Sequence, residues 1–232
     1  MTMLSSPITA PRGVDVWTVP LDQPAAREAR LIESCSTLEH ARAACMPLAR
    51  RRHDFLVARG ILRAVLGAYL GIPPRHVRIA AGAHGKPFVD SPAAPSFNVS
   101  HAHGLAVIAV TPGFQVGVDL ELVDLRVDVV AIARQFLSKE EAALLSPLGP
   151  GARATAFFRL WTRKEAYAKA TGTGFTVGIG ELFASPELSA STISHGTHTI
   201  VDIDPAPGYV GALAYESPPT MLHTPSRLLA PS

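Results

Sequence analysis

The feature that most restricts what this chain can fold into is the run Val116-Gly117-Val118-Asp119-Leu120-Glu121, with Leu122 after it. Side chains alternate there with period two, the pattern of a β-strand. In a strand, Gly117, Asp119 and Glu121 share one face, while Val118, Leu120 and Leu122 share the other. Roughly forty residues later comes Trp161-Thr162-Arg163-Lys164-Glu165-Ala166-Tyr167-Ala168-Lys169, which reads as a helix. Glu165 and Lys169 are four apart and share a helix face. Stepping back from Glu165 by helical periods reaches Trp161 and Phe158, so the carboxylate points into a packed interface rather than to water. Taken singly, each element has a plain explanation. Asp119 and Glu121 would form a solvated strand face, and Glu165 with Lys169 an ion pair that holds the helix. Taken together, three carboxylates need a cation among them. Oxygen-only ligands favour a hard ion such as Mg2+, with water and substrate phosphate filling the shell. Gly117 leaves room for a ligand to approach the backbone.

Composition excludes several classes. A net charge of +2 provides no basic field suited to nucleic acid. No apolar run reaches the roughly 18 residues needed to span a bilayer, and no signal-peptide pattern opens the sequence. Cys35 and Cys45 are the only cysteines, too few for a disulfide framework. The expectation is a cytoplasmic enzyme with no membrane or nucleic-acid partner. Its 232 residues suit one large domain or two of about 110 each.

Along the chain, residues 1–13 read as a flexible arm and 14–19 as a strand ending at Pro20. A helix is expected from about 24 to 40, and a second from 48 to 70 with Gly71 as its stop. A short strand is expected at 77–80 and a loop at 82–87. The apolar run 105–110 and the strand carrying Asp119 are joined by Thr111-Pro112-Gly113 and read as a hairpin. A helix at 127–135 follows, and Ser138 with Glu141 resembles a capping box. A helix from about 152 to 170, strands at 199–203 and 209–215, and a Pro-rich tail complete the chain. The two long helices lie about 100 residues apart, an echo that suggests a duplicated α+β unit with a ligand cleft between its copies.

Further candidates come from the first half. Arg52, Arg59 and Arg63 form one helical stripe suited to phosphate at a cleft edge, with Arg42 upstream. For Arg63 a side chain snorkelling to solvent is the simpler account. Gly85-Lys86-Pro87 is a loop tripeptide, Ser100-His101 follows an apparent strand and reads as a turn, and His84 and His103 read as structural or solvated.

Together these pieces resemble the 4′-phosphopantetheinyl transferases of the larger, surfactin-synthetase-activating (Sfp) type. The resemblance is carried by Arg59-Gly60-Ile61-Leu62-Arg63, Gly85-Lys86-Pro87, Phe97-Asn98-Val99-Ser100-His101, Gly117-Val118-Asp119-Leu120-Glu121, Phe136-Leu137-Ser138-Lys139-Glu140-Glu141 and the Trp161–Lys169 segment. It spans residues 14–215. It implies a monomer of two similar α/β halves, residues 14–111 and 112–216, with coenzyme A in the cleft between them and a flexible tail at 217–232. Asp119, Glu121 and Glu165 would hold Mg2+, with Mn2+ as the alternative, and Asp119, Glu165 and Lys169 would be catalytic. Asp119 and Lys169 would also face the pyrophosphate. His101 and an arginine among Arg42, Arg52 and Arg59 would hold the 3′-phosphate, and Gly85, Lys86, Pro87 and Ser100 would line the adenine and ribose pocket. The implied reaction moves the phosphopantetheine arm of coenzyme A to a serine of an apo acyl or peptidyl carrier protein. The carrier could serve fatty acid, polyketide or nonribosomal peptide synthesis. Its docking surface is expected near residues 136–145. Relatives often carry a basic residue near Asp54, whereas here Arg51 and Arg52 lie just before it, and the resemblance leaves open which arginine replaces that contact. Two rivals use the same carboxylates: a metal-dependent nucleotide or coenzyme A phosphodiesterase, and a non-catalytic coenzyme A-binding module.

Overall fold

A computed structural model describes residues 13–82, 85–91, 94–173 and 188–217. The expected arm up to residue 12, the tail from residue 218, and His84 lie outside them. The first half runs β1 (Asp15–Pro20), α1 (Ala25–Glu33), α2 (Thr37–Ala44), α3 (Ala49–Leu70), β2 (Ile79–Ala81), β3 (Pro87–Val89), β4 (Ser96–Ala102) and β5 (Leu105–Thr111). The second runs β6 (Val116–Leu122), α4 (Val129–Phe136), α5 (Lys139–Leu145), α6 (Pro150–Thr171), β7 (Thr192–His195), β8 (His198–Ile203) and β9 (Tyr209–Glu216). In each half the opening strand pairs antiparallel with the closing one, β1 with β5 and β6 with β9. The long helices α3 and α6 both span 22 residues and both stop at a left-handed glycine, Gly71 (φ 67°) and Gly172 (φ 73°). The α+β class with two similar halves is therefore present.

Two sequence expectations change. The helix expected over 24–40 breaks after Glu33, because Ser36 starts a new helix with its own capping box. The Ser36 side chain accepts from Glu39 N, and the Glu39 carboxylate accepts from Ser36 N. The expected hairpin between β5 and β6 also fails to form. β5 already has β1 on one side and β4 on the other, so the turn after Thr111 carries the chain into a second sheet, ordered β6-β9-β8-β7.

β5 is buried along its whole length because its two faces serve two cores. Ala106, Ile108 and Val110 pack with Val57, Ile61 and Leu62 of α3. Leu105, Val107 and Ala109 pack with Val118 and Leu120 of β6 and Leu213 of β9. The halves thus share an apolar core.

The duplication extends to buried charge. Glu39 of the α2 capping box pairs with Arg63 of α3 at 2.7 Å, and Glu141 of the α5 capping box pairs with Lys164 of α6 at 3.1 Å. Arg63 is 3 % exposed and also donates to the carbonyls of Pro74 and Val77, so it neither snorkels nor reaches a cleft.

On the outer face of the second sheet, β6 lies directly on α6. A Cβ on Gly117 would stand 2.0 Å from the carbonyl oxygen of Ala166 and 2.4 Å from the nitrogen of Ala170. The space left by Gly117 is filled by helix backbone, not by a ligand. Gly117→Ala must push β6 and α6 apart. We expect it to destabilise the protein by about 3 kcal/mol, lowering Tm by roughly 10 °C in thermal denaturation.

Candidate active site

Because the Gly117 face of β6 meets α6, Asp119 comes from the strand against groups from the helix. Lys169 places its ammonium 2.6 Å from Asp119 Oδ1. It also donates to Val118 O (3.1 Å) and Ser100 Oγ (3.2 Å), while Ser100 Oγ donates to Asp119 Oδ1 (2.8 Å). The Lys169 donors are directed to these groups, so the ion pair expected with Glu165 along the helix is replaced by one with Asp119. Ser100 belongs to β4, and Asn98 of the same strand accepts from Val118 N at 2.9 Å. These contacts tie the edge strands of the two sheets together.

Asp119 is 5 % exposed and Glu165 8 %. Asp119 Oδ2 and Glu165 Oε1 are buried with no hydrogen-bond partner, an arrangement that leaves two hard oxygen donors open. Burial pushes the Glu165 carboxyl up to about 7, and the neighbouring Asp119 charge adds to the effect while Lys169 opposes it. Glu121 is likewise pushed up to about 7, by burial first and Asp119 second. Among the described residues, no three His, Cys, Asp or Glu side chains converge into a metal-ligand set unaided.

Glu121 also forms the wall of a cavity of about 840 Å³ that opens over α2 and α3. Arg42, Arg50, Arg51 and Arg59 line it from the helices, and His101 and His103 line it from β4 and the turn after it. The guanidinium groups of Arg42 and Arg59 lie 5.5 and 5.4 Å from the centre of the Phe55 ring. Arg59 Nη1 is buried without a partner, and burial lowers the Arg59 pKa. Burial, with Lys169 second, lowers that of His101. Guanidinium groups so held, with the neutral imidazole of His101 as a hydrogen-bonding neighbour, are suited to an anion with several phosphate oxygens.

The sequence candidates therefore divide. Arg42, Arg59, Pro87, His101 and Glu121 line the cavity. Buried Ser100, Asp119 and Glu165 and half-buried Lys169 form the group beside it. Arg52 turns away and donates to Met46 O at 2.7 Å. Gly85 is an exposed turn residue at φ 77°. Lys86 extends its ammonium to the second half. Arg50 and His103 are not among the sequence candidates, and Arg51 is there only as one of two arginines beside Asp54. Arg51, Phe55 and Arg59 recur at helical spacing along the cavity side of α3; Arg52 shares the stripe of Arg59, and it is the bond of its side chain to Met46 O that keeps it from the cavity. His103 carries a positive φ (46°) in the β4–β5 turn, and its carbonyl accepts from Tyr209 of the second half (2.7 Å). That placement has no sequence signature.

An arginine-lined cavity bordered by buried carboxylates with open oxygens is suited to an enzyme that acts on a phosphate-bearing substrate. Comparison with known proteins agrees. The 4′-phosphopantetheinyl transferase superfamily model matches residues 115–205. The 4′-phosphopantetheinyl transferase HetI of Nostoc sp. is 36% identical over 205 residues, covering 87% of this chain and 86% of that protein. The transferase gsp of Aneurinibacillus migulanus is 31% identical over 138 residues (60% and 56% coverage). A 4′-phosphopantetheinyl transferase of Bacillus subtilis is 25% identical over 168 residues (71% and 73%). The chain belongs to the 4′-phosphopantetheinyl transferase family and is an enzyme of that class.

The raised carboxyls give a pH dependence. Free glutamate titrates near 4.3, so in the metal-free protein Glu121 and Glu165 take up protons on folding between about pH 4.3 and 7. Their contribution to stability is full below that window and is lost as pH rises through it. Glu121→Gln with Glu165→Gln should therefore raise Tm above wild type at pH 7.5, with the difference shrinking at pH 5, in melts recorded with a chelator.

Proposed function

We propose that the enzyme transfers the 4′-phosphopantetheine arm of coenzyme A to a serine hydroxyl of an apo acyl or peptidyl carrier protein. Adenosine 3′,5′-bisphosphate leaves. The observation that carries this reading is the continuity of the site. An arginine- and histidine-lined cavity ends at Glu121, one strand position pair from the buried Asp119–Lys169–Glu165 group. A substrate with a 3′-phosphate and a 5′-pyrophosphate on one nucleoside has arginines for the first and, through a metal, carboxylates with a lysine for the second. Family membership supports the same substrate class.

In this reading Arg42, Arg59 and His101 hold the 3′-phosphate, and Pro87 borders the nucleoside. Asp119, Glu121 and Glu165 suit Mg2+ or Mn2+, since all are oxygen donors and two oxygens stand buried and open. When bound, the metal neutralises the pyrophosphate and makes its phosphorus more open to attack. Glu165 accepts the proton of the attacking serine, directly or through a water, a task open to a carboxylate that a neighbouring cation keeps ionised. The serine oxygen forms a bond to the pantetheine-side phosphorus as the bond to the departing bisphosphate breaks. Lys169 stands beside Asp119 to stabilise the charge that grows on the leaving phosphate. The chain's work is positioning and charge neutralisation rather than covalent catalysis. We take the enzyme to be a cytoplasmic monomer. Both cysteines are free thiols, and among the described residues no helix is long and apolar enough to cross a membrane.

The direct test incubates the protein with coenzyme A, Mg2+ and an apo carrier. A carrier mass gain of one phosphopantetheine is expected, whereas coenzyme A hydrolysis without gain on several carriers would favour a phosphodiesterase. Arg59→Ala should raise KM for coenzyme A at least about tenfold while leaving KM for dephospho-coenzyme A nearly unchanged, since only the former carries the 3′-phosphate. Calorimetry should find Mg2+ binding weak to the free protein and tighter once coenzyme A is present. Equal affinities would count against a substrate-completed metal site.

A further inference from the structure

The ammonium of Lys86 does not face the cavity. It donates to three oxygens of the second half: Gln115 Oε1 at 3.0 Å, Ala170 O at 3.2 Å and Val116 O at 3.3 Å. A lysine has three N–H donors, so these acceptors use all of them and leave none for a phosphate or a ribose. Ala170 O is one of the last carbonyls of α6, which have no partner within the helix and lie at the negative end of its dipole. Val116 O belongs to β6, one residue before Gly117. Lys86 therefore bridges β6 and the last turn of α6 from the first half, beside the place where Gly117 lets their backbones touch. Lys169, next to Ala170, bolts the same joint on the other side through Val118 O and Asp119. Burial holds the Lys86 ammonium below the usual lysine range, so it is a partly desolvated cation that depends on these dipoles.

We infer that Lys86 is a positioning residue, which clamps the C-terminal turn of α6 to β6 across the two halves and so fixes Lys169 and Glu165 against Asp119. Its side chain makes no contact with coenzyme A. The role rests on the transferase reading for its effect on turnover, but not for its structural content. Lys86 sits at the end of the β2–β3 connection, directly before Pro87 of β3. Lys86 O accepts from Gly82 N at 2.8 Å, and Val89 of β3 is anchored in the first-half core. The clamp is thus mounted on a fixed base.

The test uses Lys86→Met, which keeps the stem and removes the donors, and Lys86→Arg, which restores donors. Three measurements are made well below the melting temperature of each variant: kcat with coenzyme A and a carrier, the Kd of adenosine 3′,5′-bisphosphate, and amide hydrogen exchange over residues 166–172. For Lys86→Met we expect kcat at least tenfold lower, Kd within twofold of wild type and faster exchange in the last turn of α6, with Lys86→Arg regaining part of the lost kcat. A Kd weakened tenfold or more, or exchange unchanged in Lys86→Met, would overturn the inference. So would normal kcat in that variant when wild type is active. Wild type failing to load any carrier would instead sink the transferase reading, while Kd and exchange would still decide whether Lys86 clamps α6 or touches the nucleotide.

Discussion

The backbone contact between β6 and α6 sets where every candidate reacting group stands. A strand can lie that close to a helix only where a side chain is missing, and Gly117 supplies the gap over Ala166 and Ala170. Alanines at Ala166, Ala170, Ala212 and Ala214 keep the rest of the seam thin. With the seam closed, the strand residue two places after Gly117 meets the helix residue just before Ala170, and Asp119 and Lys169 pair. A larger residue in the seam would hold the carboxylates and the lysine apart.

Around that seam the same frame is used twice. Each half has a strand, a helix begun by a Ser–Glu capping box, a 22-residue helix stopped by a left-handed glycine, and a final strand that returns to the first. Each capping-box glutamate pairs with a buried cation of the long helix, Arg63 or Lys164. Removing either partner would strand a buried charge, which typically costs about 3–5 kcal/mol. Chemistry then breaks the symmetry. The second half carries the carboxylates, while the first turns the cavity face of α3 into a row of guanidinium groups. The shared core of β5 and β6 fixes one set against the other.

The electrostatics of the site follow from burial. Asp119 has Lys169 and Ser100 for one oxygen, yet its other oxygen and one of Glu165 have nothing. Such groups are unfavourable in a protein interior unless a cation or a proton joins them. The raised Glu121 and Glu165 pKa values express that tension in the metal-free state. Across the cavity, Arg59 presents the opposite need, a buried cation with an open donor. Both needs are met together by a ligand that brings phosphate to the arginines and a metal to the carboxylates.

The sequence alone determined the local elements and the residue types. Period-two alternation marked β6, helical spacing marked α3 and α6, Ser138 with Glu141 marked a helix start, and Asp119, Glu121, Glu165 and Lys169 were named as one site. These signals are local, because backbone geometry ties side-chain direction to spacing within a few residues. Tertiary structure decided what lies between distant segments. It sent β6 to β9 instead of β5, because both edges of β5 were already taken. It gave Lys169 to Asp119 rather than Glu165, filled the gap at Gly117 with helix, put Arg51 on the cavity wall while Met46 O took the Arg52 side chain, and turned Lys86 toward the other half. Partner choice is a competition among groups brought together by the whole fold, and no spacing along the chain records its outcome.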